Sequence, residues 1–142
     1  MLLYLVKQVE LAVRAQLDDI FRPIGLTALQ YTALTVLERH ENMSSAQLAR
    51  HSFVTAQSMA DMIAALESHG LIERHRDEAD RRRLVVALTA EGRALLDRYR
   101  GEVRALENSM LAGLTEAEVL TLRTALSTCH ANLARRSGYA RQ

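Results

Sequence analysis

One cysteine, Cys129, in a chain of 142 residues excludes an internal disulfide and a cysteine-built zinc cage. No apolar run approaches the roughly 18 residues needed to span a bilayer. The first residues, from Met1 to Lys7, lack the basic leader and small-residue cleavage site of a signal peptide, so the chain reads as cytoplasmic. Glycine-rich phosphate loops, nucleophile elbows and paired-carboxylate motifs are also missing, which argues against an enzyme. The histidines are His40, His51, His69, His75 and His130, and they show neither the i, i+4 spacing nor the paired arrangement of a metal site. No cofactor or metal is expected. Lysine is nearly absent: Lys7 stands alone among 18 basic residues. The arginines in its place carry the planar fork that suits phosphates and base edges.

What is present is ordinary for a globular protein, with 49% hydrophobic and 25% charged residues. The length fits one domain with a real core. The net charge of +1 hides no strongly basic segment. Any nucleic-acid contact must therefore come from local placement of arginines.

Leu2, Leu5, Val6, Val9, Ala12, Val13, Leu17, Ile20 and Phe21 recur at three- and four-residue steps and predict a first helix of about five turns. Pro23 and Gly25 end it. Thr27 caps a second helix to about His40, with Leu29, Ala33, Leu34 and Leu37 on its buried stripe. Ser44 or Ser45 caps a short third helix ending near His51, with Leu48 and Ala49 inward. Thr55 caps a fourth, with Met59, Met62, Ile63 and Leu66 inward, and Gly70 stops it in a left-handed conformation. Two helices joined by about three residues, the second amphipathic, describe a helix-turn-helix.

Leu71 to Arg76 and Leu84 to Leu88 are short apolar-rich runs around the polar segment 77–83, which predicts a β-hairpin with a charged tip. Thr89 caps a long fifth helix carrying Leu95, Leu96, Tyr99, Val103, Leu106 and Met110 as far as Gly113. Thr115 and Glu118 form a capping box for the last helix. That helix places Leu122, Leu126, Cys129 and Leu133 on one stripe and fades into a basic tail, Arg135–Gln142. On this stripe Cys129 reads as a core or dimer-interface thiol. Its neighbour His130 points about 100° away along the helix, so the two make no nucleophile pair.

A helix of this width fits the major groove of DNA, and a hairpin beside it reaches the flanking minor groove. Arginines on the tip suit a narrow minor groove, where negative potential is focused. The residues Gly70-Leu71-Ile72-Glu73-Arg74, Asp80-Arg81-Arg82, Leu84-Val85 and Leu88-Thr89-Ala90-Glu91-Gly92 then give the chain its resemblance. It resembles the MarR family of bacterial winged-helix regulators over nearly its whole length. The resemblance implies an all-α fold with a small β-wing, in a single domain over 1–142. Its winged helix-turn-helix would span 28–89, flanked by N- and C-terminal dimerisation helices at 1–22 and 90–135. It also implies a homodimer in which the first, fifth and sixth helices interlock on a pseudo-palindromic double-stranded DNA operator.

Carried over by motif, Arg82 is the minor-groove residue and Asp80 its orienting partner, while Gln57, Ser58 and Asp61 lie on the recognition helix. Ser45, Arg50, Thr55, Arg74, Arg81 and Arg83 complete the expected DNA surface. Many relatives have a basic residue where this chain has Asp61, and an acid near phosphates is repulsive unless it accepts a hydrogen bond from cytosine N4. The resemblance further implies a pocket between the first, second and fifth helices for a small aromatic or phenolic effector, with Arg14, Tyr31 and Tyr99 as its candidates. On the residues alone, two other readings stay open. One is a winged helix that binds a protein without DNA; the other is a metal-responsive repressor.

Overall fold

The computed structural model describes residues 1–136, so positions 137–142 of the expected basic tail lie outside the described residues. In chain order the elements are α1 (Leu2–Phe21), a 3-10 turn (Arg22–Ile24), α2 (Ala28–Arg39), α3 (Ser45–His51), α4 (Ala56–Ser68), β1 (Ile72–Arg76), β2 (Leu84–Leu88), α5 (Ala90–Leu111) and α6 (Glu116–Arg136). They form two compact units, one over Met1–Val103 and one beginning at Arg104. No described helix is long and apolar enough to cross a membrane.

In the first unit the helix starts follow side-chain chemistry. Thr27 and Gln30 form a reciprocal capping box at α2, and Ser44 and Gln47 form another at α3. Asp18 of α1 adds a tie, accepting the Ala28 N–H through Oδ1 at 2.6 Å. Thr55 caps α4, its hydroxyl accepting the Ser58 N–H at 3.1 Å. The break between α3 and α4 turns at Phe53, which takes a positive φ of 54°. Gly70, at φ 73°, ends the α4 segment in the left-handed region that glycine tolerates.

The hairpin pairs antiparallel from Ile72↔Leu88 to Arg76↔Leu84, and Met43 adds an isolated bridge to Val86. The start of α5 explains the Leu88–Gly92 motif. The Thr89 hydroxyl donates to the Gly70 carbonyl at 2.6 Å and accepts the Gly92 N–H at 3.0 Å. A Cβ on Gly92 would sit 2.2 Å from the Leu71 carbonyl oxygen, so this crossing requires glycine.

Phe21, Leu34, Leu48, Met59 and Leu66 are fully buried at the centre of this unit, with Val86 packed in the same core. One expectation needs correction. Leu29 is 40% exposed, and Ala28 takes the buried place at that end of α2. The apolar stripe of α1 is buried only at its C-terminal end, Phe21, while Leu2, Leu5, Val6 and Val9 are exposed. Helical spacing reports one face of a helix and cannot say what covers it.

In the second unit Gly113 turns the chain at φ 91°. Thr115 and Glu118 make the expected capping box, at 2.9 and 3.1 Å. Leu126 and Leu133 are exposed on α6, and so is Cys129. The protomer core does not hold this thiol, which corrects the core reading of its stripe.

Candidate nucleic-acid interface

The α4 helix has two chemically distinct sides. Met59, Ile63 and Leu66 are buried, while Gln57, Ser58, Ala60, Asp61 and Ala64 face outward. The outer side is made of small or neutral residues with one acid. Gln57 Nε2 donates to Asp61 Oδ1 at 3.1 Å, one turn along the helix. That bond orients the Gln57 amide and leaves its carbonyl oxygen, with the second N–H, for a ligand. A glutamine amide presented this way matches the N6/N7 edge of adenine.

The wing lies beside this helix in sequence and is tied to it by an ion pair. Arg74 on β1 donates to Glu67 on α4, with Nη2 at 2.8 Å and Nε at 3.3 Å. Hydrogen bonding from Arg74 holds the Glu67 carboxyl below its usual range. Ser45 and Arg74 line a small cavity of about 120 Å³ against Ile63 and Val86. At the tip, Asp80 Oδ1 accepts the Arg82 backbone N–H at 3.1 Å and faces its Nε at 3.4 Å. The Arg82 side chain is otherwise 94% exposed. Arg81 is exposed, and no ion pair joins it or Arg50 to another described residue. Arg83 is turned inward, paired with Asp77 at 2.9 Å and bonded to Gln47.

Eight of the eleven expected DNA residues therefore fall into three sets. Gln57, Ser58 and Asp61 share the outer side of α4, with Thr55 at its cap. Arg81 and Arg82 project from the wing tip. Arg74 and Arg83 are spent on internal ion pairs. Sequence reasoning missed Gln47 altogether. The Ser44-x-x-Gln47 spacing of a capping box was the signal that could have found it.

The effector candidates are dispersed. Arg14 donates to Glu10 through Nε at 2.8 Å. Both side chains line a groove of about 280 Å³ between α1 and α2, with Val13, Leu17, Ala28, Leu29 and Thr32. Tyr31 and Tyr99 do not line that groove. Both rings pack on Phe21, at centroid distances of 4.5 and 5.0 Å. Burial pushes the Tyr31 hydroxyl above its ordinary pKa, against the pull of Arg100. Among the described residues no group of three or more His, Cys, Asp or Glu gathers as a metal cluster, although the His40 and His51 rings stand 5.0 Å apart.

The sequence profile of the MarR family matches residues 24–83. An HTH-type transcriptional repressor of Mycobacterium tuberculosis is 38% identical over 112 residues, covering 79% of this chain and 81% of that protein. Among solved structures, a probable transcriptional regulator from Pseudomonas aeruginosa superposes with a TM-score of 0.75 at 29% identity, over 91% of this chain and 96% of that one. CouR from Rhodococcus jostii, solved bound to p-coumaroyl-CoA, superposes with a TM-score of 0.81 at 25% identity, over 89% of each chain.

Proposed function

The chain belongs to the MarR family, and from that premise we propose that it acts as a dimeric repressor whose hold on an inverted-repeat operator is relieved by a small molecule. It is a DNA-binding transcriptional regulator. The observation that carries the finer reading is the division of labour on one surface. The outer side of α4 presents an oriented amide, and the wing tip presents Arg82 steadied by Asp80. The helix reads base edges in the major groove, Gln57 foremost, with Ser58, Asp61 and Thr55 around it. Arg81 and Arg82 enter the flanking minor groove, and Ser45 and Arg50 serve the phosphates. The winged helix-turn-helix over 28–89 and the helices flanking it work as one domain.

A second copy covers the exposed apolar residues of α1 and α6, since exposed patches of this kind mark interaction surfaces. A protein of this kind works in the cytoplasm and has no catalytic role. The effector reading draws support from the α1–α2 groove, which is largely apolar with the Arg14–Glu10 ion pair at its side and so suits a flat aromatic or phenolic ligand with a polar end. CouR supplies a relative with an aromatic acyl thioester bound.

The test is selection from a random duplex library, followed by titration of the recovered DNA over a range of salt. An enriched inverted repeat whose affinity falls steeply with salt is the expected result. Recovery of no preferred sequence, with no salt-dependent binding, would favour a winged helix that docks on protein instead.

A further inference from the structure

The base of the wing holds a polar chain that the proposed contacts do not use. Asp77 is the buried charged residue of the described chain, 9% exposed. Its Oδ1 accepts the Ala79 N–H at 3.0 Å, and its Oδ2 accepts Arg83 Nη1 at 2.9 Å. The other arm of Arg83, Nη2, donates to Gln47 Oε1, 36 residues earlier in the chain. That same oxygen accepts the Ser44 N–H at 2.9 Å and so closes the cap of α3. One guanidinium therefore joins the wing loop to the first helix of the helix-turn-helix.

We propose that Arg83, held between Asp77 and Gln47, is a positioning residue that fixes the wing on the helix-turn-helix and so decides where Arg82 meets DNA. The claim rests on the DNA-binding reading above. A two-stranded hairpin with five-residue strands is marginal alone and needs tertiary ties to hold an angle. The Arg83 N–H donates to the Asp80 carbonyl at 2.9 Å, and Asp80 holds Arg82, so a shift at Arg83 is passed directly to the tip. The Arg83 charge is already met by a part-buried carboxylate, and turning it toward a phosphate would strand Asp77.

The lock has a readout that needs no DNA. Amide hydrogen exchange on the free protein should show protected N–H groups at Asp77 and Arg83 that lose protection in Gln47→Met and in Arg83→Lys. A lysine keeps the charge but cannot bridge both partners. Gln47→Glu keeps an oxygen for both donors and should keep the protection. Unchanged protection in both disruptive variants would overturn the lock, whether or not the chain binds DNA.

On the selected operator, Gln47→Met and Arg83→Lys should each weaken binding about tenfold, the worth of one charge-assisted bond. In an Arg82→Ala background, where the tip contact is already gone, neither should weaken it further. If Arg83→Lys binds like the parent, or if Arg83→Gln lowers affinity and the salt slope further in that background, Arg83 touches phosphate itself and the positioning role is wrong.

Discussion

At the scale of single residues, the outer side of α4, proposed here to read DNA, carries one acid. Asp61 faces outward one turn below Gln57 and accepts its amide N–H. On the proposed DNA surface two effects would oppose each other, repulsion from the DNA backbone and orientation of the Gln57 amide toward a base. Asp61→Asn removes the charge and keeps an acceptor oxygen. It should tighten binding to every duplex by roughly twofold, as removal of a screened like charge would, with base preference intact. Asp61→Ala should tighten binding as well but blur the base pair that Gln57 reads. Gln57→Ala should cost ~1–3 kcal/mol at that pair alone. Titrations on a panel of single-base operator variants separate these outcomes, and a preference unchanged by Asp61→Ala would remove the orienting role. Gly92 is the second decisive residue. A Cβ there meets a backbone oxygen at 2.2 Å and the Leu88 side chain at 3.1 Å. Gly92→Ala should lower stability by ~1–3 kcal/mol, the range for overpacking, measured by denaturant unfolding.

At the scale of elements, the helix starts were legible because each rests on a local hydroxyl at a fixed spacing. Thr27, Ser44, Thr55 and Thr115 all cap as the chain reads. Gly70 was legible for the same local reason. The hairpin was legible from its two apolar runs, but the inward turn of Arg83 was not, because its partner Gln47 lies in a different helix. The same limit applies to the residues expected to bind an effector. Periodicity places Arg14, Tyr31 and Tyr99 on helices without saying that both tyrosines are taken up by Phe21.

The wing also carries a pH dependence. The Ala79 N–H, and after it Arg83, holds the Asp77 carboxyl below its ordinary pKa in the folded protein. Its contribution to stability is therefore complete above an unfolded value of about 3.9 and is lost as pH falls through the lower folded value. Denaturant midpoints taken across the acid range should fall more gently for Asp77→Asn than for the parent. Equal slopes would mean that the carboxylate is not held as described.

At the scale of the whole molecule, the exposed apolar residues have the largest consequence. Leu2, Leu3 and Leu5 on α1 are 78, 74 and 55% exposed, and Leu120, Leu126 and Leu133 on α6 are 65, 49 and 57% exposed. Stable dimers typically bury on the order of 2,000 Å² or more, much of it apolar. Sedimentation equilibrium at micromolar concentration should give twice the 15.9 kDa chain mass, and a stable monomer would remove the dimer from the account. A symmetric pair of winged helices must in turn leave a symmetric mark on DNA. Hydroxyl-radical footprinting of the selected operator tests this most directly. Two protected half-sites are expected, centred about one helical turn or a multiple apart, roughly 10–10.5 base pairs per turn, with further minor-groove protection just outside them that vanishes in Arg82→Ala. A single unbroken footprint without two-fold symmetry, or flanking protection that survives Arg82→Ala, would contradict that expectation.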